Sequence, residues 1–204
     1  MPANIADVAR AMIARGVEKT DLDYTLGLAM TSSAAREQGL QIPLVKLLIE
    51  AGATPSPDDM GGVLGHGETE IVEYLVSAGM TMTAPIAAAL GRTDALPDLL
   101  KSASQREIDE ALDLAVINNR IDAVRMALAA GANPDRASSQ HGHSQPLHQA
   151  ALHDNVELLE LLIAHGARLD AVDELWGGTP LGWAMHAGAK SPKVIAYLQE
   201  RMNG

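Results

Sequence analysis

Residues 161–173 read LLIAHGARLDAVD. An apolar run with helical spacing stops at Gly166, and a short polar stretch follows it. Much the same phrase stands at 126–138 (MALAAGANPDRAS), 47–59 (LLIEAGATPSPDD) and 74–85 (YLVSAGMTMTAP). A phrase written this often in one chain marks an internal repeat, and the repeat decides the architecture before any single helix is considered.

Working outward, the glycine that closes each run stands at Gly16, Gly52, Gly79, Gly131 and Gly166, at intervals of 36, 27, 52 and 35. The longest interval hides a degenerate copy. GRTDALPDLLKSAS (91–104) fits the frame with Ala103 in the glycine place and splits 52 into 24 and 28. Upstream of each anchor lies an apolar helix: VARAMIA (8–14), LVKLLIE (44–50), IVEYLVS (71–77), ALPDLLK (95–101), AVRMALA (123–129) and LLELLIA (158–164). The glycine supplies the helix exit, because a left-handed residue there lets the last carbonyls find donors. Ala103 is expected to leave its helix differently. Pro97 sits near the start of that helix, where a missing N–H costs little. VIAYLQERM (194–202) is the final helix and has no closing glycine.

A second helix precedes each of the first. It is clearest in QPLHQAALHDN (145–155) and TPLGWAMHAGA (179–189), and weaker in PIAAALGR (85–92), EALDLAVINNR (110–120) and MGGVLGHGE (60–68). Each unit is thus helix, tight turn, helix, glycine. One such pair cannot bury its apolar face alone, and stacked neighbours bury one continuous core.

Composition agrees. The 204 residues are 47% hydrophobic, enough for a folded core, yet aromatics are 2% and Phe is absent. Ala and Leu dominate; both favour helices, and small Ala lets helices approach closely. Val and Ile lack the alternation of strands.

These phrases resemble the ankyrin-repeat pattern TPLHxAA…G…IVxLLLxxGAxxNAxD. The resemblance runs from about Ile5 to Met202 and is specific over 120–189, where QPLHQAA…NVELLELLIAHGARLDAVD and GGTPLGWAM stand. It implies an all-α, ankyrin-type α-solenoid of about six stacked helix pairs. The expected boundaries are a capping helix over 1–19 and units at 20–56, 57–82, 83–105, 106–134, 135–169 and 170–204, forming one domain. The middle intervals fall short of the family's ~33 residues. Short loops are therefore expected there, with few or no strands, and only 132–145 and 167–179 are long enough for fingers. Gly67 and Gly91 keep the glycine of the helix-to-helix turn, whereas Asn119 and Asp154 replace it, the next-best residues for that geometry. The insert 31–43 lengthens the first unit at its turn or first helix. His148 keeps the family's histidine, whose imidazole is expected on the backbone of an adjacent loop, and Gly182 replaces it in the last unit.

The net charge of −11 disfavours nucleic acid and anionic membrane and favours a basic partner. Without cysteine there is no disulfide, thiolate site or Cys nucleophile. No run of ~20 apolar residues is present and the N-terminus lacks a signal peptide's apolar centre, so the expected location is cytoplasmic. No GxSxG, P-loop, GxGxxG or HExxH occurs, and the expectation is a protein that is no enzyme and carries no cofactor or metal. VLGHGETE (63–70) has no following Lys, and EIDE (107–110) suits a first helical turn.

The function expected from this is a non-catalytic, monomeric interaction module, an inhibitor or regulator of a protein or peptide. In the family, finger tips and first helices line the concave side, which places Trp176 and Trp183 there as anchors. Asp173 and Glu174 flank Trp176, while Asp135, Arg136, His141 and His143 lie on the preceding finger, an acidic strip for a Lys/Arg-rich segment. Asp173→Lys and Trp176→Ala are expected to weaken binding at a nearly unchanged melting temperature. The alternative is a metal- or small-ligand-binding protein using His141, His143 and His153. His148 and His153 are offset by roughly 140° around a helix and do not share an ion easily. Tyr24, Tyr74 and Tyr197, at helical spacing, are expected mostly in the core.

Overall fold

The computed structural model describes residues 5–187 and 191–203, and among them every regular element is a helix. In order these are α1 (Ile5–Ile13), α2 (Lys19–Thr31), α3 (Ser33–Glu37), α4 (Gln41–Glu50), a single 3-10 turn (Pro57–Asp59), α5 (Met60–Leu64), α6 (Thr69–Ser77), α7 (Ala84–Leu90), α8 (Leu96–Ser102), α9 (Gln105–Ile117), α10 (Ile121–Ala129), α11 (Pro146–Ala150), α12 (Val156–Ala164), α13 (Pro180–Ala187) and α14 (Pro192–Asn203). The last two residues of the helix expected over 179–189 lie outside the described residues.

The repeat glycines act as helix exits. Gly16, Gly52, Gly79, Gly131 and Gly166 all have φ between +92° and +104°. At Gly166 the backbone closure is explicit: its N–H donates to Ile163 O and that of Ala167 to Leu162 O, both at about 3.0–3.1 Å. Ala103 leaves α8 in an extended conformation (φ −73°, ψ 144°), as a residue with a Cβ should. The turns between paired helices divide. Gly67, Gly91 and Asn119 are left-handed, the last at φ 51°. Asp154 is not; its Oδ1 instead accepts from Lys193 N at 2.7 Å and Val194 N at 3.3 Å, capping α14. The carboxylate found a helix N-terminus to satisfy, which outcompeted the turn geometry.

The chain packs as two compact units. The first takes the chain up to Val63 and then Glu68–Thr81; the second takes Leu64–Gly67 and everything from Met82 onward. In the first unit α4 packs against α2 and α1. The insert forms α3, an extra turn of helix whose start is capped by Ser32 Oγ accepting from Ala35 N at 3.1 Å. Buried Gln41 donates to Met30 O at 2.6 Å and ties α4 back to the end of α2. Helix α1 buries none of its side chains, and Met12 is 62% exposed. Tyr24 is 71% exposed and not in the core: on α2 it lies off the face carried by Leu22, Leu26, Ala29 and Met30. Tyr74 and Tyr197 are partly buried.

The second unit is a two-layer stack. First helices α7, α9, α11 and α13 pack in succession, and second helices α8, α10, α12 and α14 form the other layer. The first layer is cemented by alanine: Ala87, Ala88, Ala111, Ala115, Ala150, Ala151 and Ala184 are fully buried. Leucines Leu112, Leu147, Leu158, Leu159 and Leu162 fill the space between layers. The chain thus has the all-helical repeat architecture expected from its glycine period.

Candidate functional site

The site is assembled on the second unit, where the fingers after α10 and α12 meet the exposed edges of α11 and α13. Its foundation is His148 on α11. The ring is fully buried; Nδ1 accepts from Gln145 N at 3.3 Å, which leaves the proton on Nε2 to donate to Gly178 O at 3.0 Å. Burial pushes its pKa below the ordinary value, against the pull of that carbonyl, so it is a neutral strut at pH 7. This is the loop-bracing place expected for it.

Asp173 organises the finger that His148 braces. It is 2% exposed. Oδ1 accepts from Leu175 N at 2.9 Å and Trp176 N at 2.7 Å; Oδ2 accepts from Gly178 N at 2.8 Å and the Trp183 indole Nε1 at 2.9 Å. Burial pushes the carboxyl up, but Trp183 and the three backbone donors outweigh it and hold the pKa down to about 2. The expectation of a surface charge at Asp173 fails on this geometry: every acceptor position is occupied from within, and Asp173→Lys cannot leave the melting temperature unchanged.

With the finger fixed this way, Trp176 stands 71% exposed and edge-on to Trp183, ring centres 6.0 Å apart. His143, on the preceding finger, meets Trp176 at 5.4 Å and Trp183 at 5.8 Å. His148 also meets Trp183 edge-on, ring centres 5.3 Å apart. His141 continues the row, 6.1 Å from His143 and 6.4 Å from His66. The two fingers are joined by Glu174 N donating to His143 O at 2.8 Å. A concavity of about 640 Å³ opens between the finger and the helices, lined by Leu152, Asp173, Trp176, Gly178, Trp183 and His186, with Gly182 also on its wall. Exposed Val172, Leu175 and Met185 extend the apolar surface.

Arg136 and Asp135 play structural parts. Arg136 Nη2 donates to Asp113 Oδ2 at 2.7 Å, and Ser139 gives the same oxygen its N–H and hydroxyl, each at 2.7 Å. Asp113 is buried in α9, its Oδ1 has no partner, and burial pushes its pKa up against Arg136. Six residues before Asn119, it holds the register that His148 holds six before Asp154; both reach the next finger. Asp135 holds Arg168 of the next finger at 2.9 Å. Glu174 is exposed beside Trp176.

The structure therefore brings Trp176, Trp183, Asp173, Glu174 and His143 together, sets His141 alongside, and keeps Asp135 and Arg136 at the finger bases. His153 is apart: half-buried, it bonds the backbone at Ile117 and Val116, and burial lowers its pKa. Among the described residues no three His, Cys, Asp or Glu side chains converge as metal ligands. Leu152, Val172, Leu175, Met185 and His186 were not among the expected site residues. The signal for Val172, Leu175 and Met185 was apolar residues within VDELW and on the exposed face of AMH, where a repeat needs none for its core; Leu152 and His186 carried none.

Fold and site together define a class: a stacked helical repeat that displays a surface. Residues 112–203 match the family described as ankyrin repeats (3 copies). Over 94 residues the chain is 35% identical to "Protein PhlB" of Serratia liquefaciens, a match that covers 46% of this chain and 40% of that relative. The chain thus spans well under half the length of the curated relative it matches. Ankyrin repeats are in general non-catalytic protein-interaction modules. No described helix is long and apolar enough to cross a membrane.

Proposed function

We propose that the protein is a non-catalytic cytoplasmic interaction module that acts as a monomer on one protein partner, as its inhibitor or regulator, through the finger surface around Trp176. The observation that carries this is an apolar display on a rigid base. Trp176, Leu175, Val172 and Met185 are 54–71% exposed, while the finger beneath two of them is fixed by the four bonds to Asp173. A pre-shaped surface loses little freedom on docking, and a large aromatic ringed by polar groups is a favoured anchor. The acidic balance of the chain, with Asp170 and Glu174 exposed on the same finger, suits a basic partner.

The test is affinity capture with the full chain and with Trp176→Ala/Leu175→Ala. A partner retained by the parent and lost by the variant, at equal melting temperature, supports this surface. Equal retention would place the docking face elsewhere.

A further inference from the structure

We infer that the concavity between the Trp176 finger and α13 is a seat for one arginine side chain of the partner; this rests on the interaction reading above and names the chemistry of its anchor. Three features of the cavity select that group. Its walls are two indoles inclined at 61°, a shape that takes a planar guanidinium against one face while the three methylenes lie on Leu152. The Trp183 N–H is committed to the ionised Asp173 at 2.9 Å; donation to a carboxylate enriches the ring in electron density and strengthens its pull on a cation. Asp170 and Glu174 stand exposed on the same finger, whereas the finger's own cation, Arg168, is held by Asp135 at 2.9 Å. The finger's uncommitted charges are therefore both negative, and its own arginine is spent on the neighbouring finger.

Space for the guest comes from Gly182. It occupies the register that His148 holds one unit earlier, and a Cβ there would meet only Thr179 Oγ1, at an ordinary 3.7 Å. Gly182 lines the cavity and its added Cβ meets no tighter contact, so Gly182→Leu is the substitution that puts an apolar side chain on the wall of the seat.

The experiment uses the full ¹⁵N-labelled chain, whose two tryptophans give two indole N–H signals. The probes are acetyl-Ala-Arg-Ala-amide and the same peptide with citrulline, lysine or leucine in the centre. The expected result is that the arginine peptide moves both signals. Citrulline, which has the same shape without charge, and leucine bind at least ~10-fold more weakly, and Gly182→Leu abolishes the shifts while the remaining spectrum is unchanged. A citrulline or leucine peptide that binds as well makes the seat an apolar anchor and overturns the assignment. So does a lysine peptide that binds equally, which marks a general cation site, and so does an arginine peptide that moves neither signal. If the arginine assignment falls while Trp176→Ala/Leu175→Ala still loses a captured partner, the interaction reading stands alone. If the arginine peptide binds but capture ignores that variant, the cavity takes a guanidinium without serving the partner, and both the surface reading and the assignment to the partner's arginine fall.

Discussion

The Trp183 indole donates to Asp173 Oδ2 at 2.9 Å across ten residues of chain, and the same oxygen receives Gly178 N–H at 2.8 Å. That pairing locks the finger to the first turn of the helix that follows it. A residue that looks like an exposed charge is the joint of the site, and the exposed rings depend on it for their placement.

Asp173→Asn should lower the melting temperature by several degrees and release the Trp183 N–H, because an amide offers one acceptor oxygen where the carboxylate offers two. The pH dependence has a definite sign. The folded pKa is depressed from 3.8 to about 2, so the carboxylate's contribution is complete above the unfolded value and is lost as pH falls through the folded one. Melting curves of parent and variant should be furthest apart at neutral pH and converge between pH 3.8 and about 2. A gap that holds constant through that window would show that the ionised form is not what braces the finger.

Two glycines nearby should respond oppositely to alanine. At Gly178 a Cβ would stand 2.8 Å from Asp173 Oδ2 and 3.1 Å from Trp183 Cδ1, and the carboxylate cannot swing away without breaking its bonds. Gly178→Ala should cost about 1–3 kcal/mol. Gly182→Ala meets only an ordinary contact inside α13 and should gain about 0.5–1 kcal/mol from reduced chain entropy. Urea denaturation midpoints check both, and equal shifts would contradict the packing described.

Asp113→Ala removes the acceptor shared by Arg136 and Ser139; Arg136 keeps Asp109 Oδ2 at 3.3 Å, whereas the Ser139 N–H and hydroxyl lose the oxygen they share. The expected loss is about 2–3 kcal/mol, with faster amide exchange at Ser139. Retained protection of that amide would mean the finger base is held by something else.

Gly131→Val forces a β-branched residue to φ +96° at the exit of α10 and should cost at least ~1–2 kcal/mol. An unchanged chemical-denaturation midpoint would disprove the exit role.

The glycine period was legible because a left-handed exit is a local demand of the backbone that one residue type meets cheaply. Ala103 was legible for the complementary reason: its Cβ forbids that exit, and it leaves extended. Side-chain demands were harder to read. Asp154 looked like a turn residue, yet Lys193 and Val194 amides 39 and 40 residues away claim its carboxylate. Asp173 looked like a surface charge because residue type does not tell whether backbone donors converge on it. Asp113 was hidden by identity: only the repeat register shows an aspartate doing for one finger what His148 does for the next. Trp176 and Trp183 were legible as a pair, since large aromatics are scarce in this chain and these two fall on a finger and the first helix beside it.

That scarcity has a practical side. Both tryptophans sit on the final finger and α13, and no other residue of their kind exists in the chain. Tryptophan emission, excited at the red edge where Tyr24, Tyr74 and Tyr197 absorb little, is therefore a gauge of the last helix pair and its finger, blind to the alanine-cemented layers before them. Heating followed simultaneously by that emission and by far-ultraviolet circular dichroism would report whether the terminal pair lets go together with the others or ahead of them, without attaching a single dye.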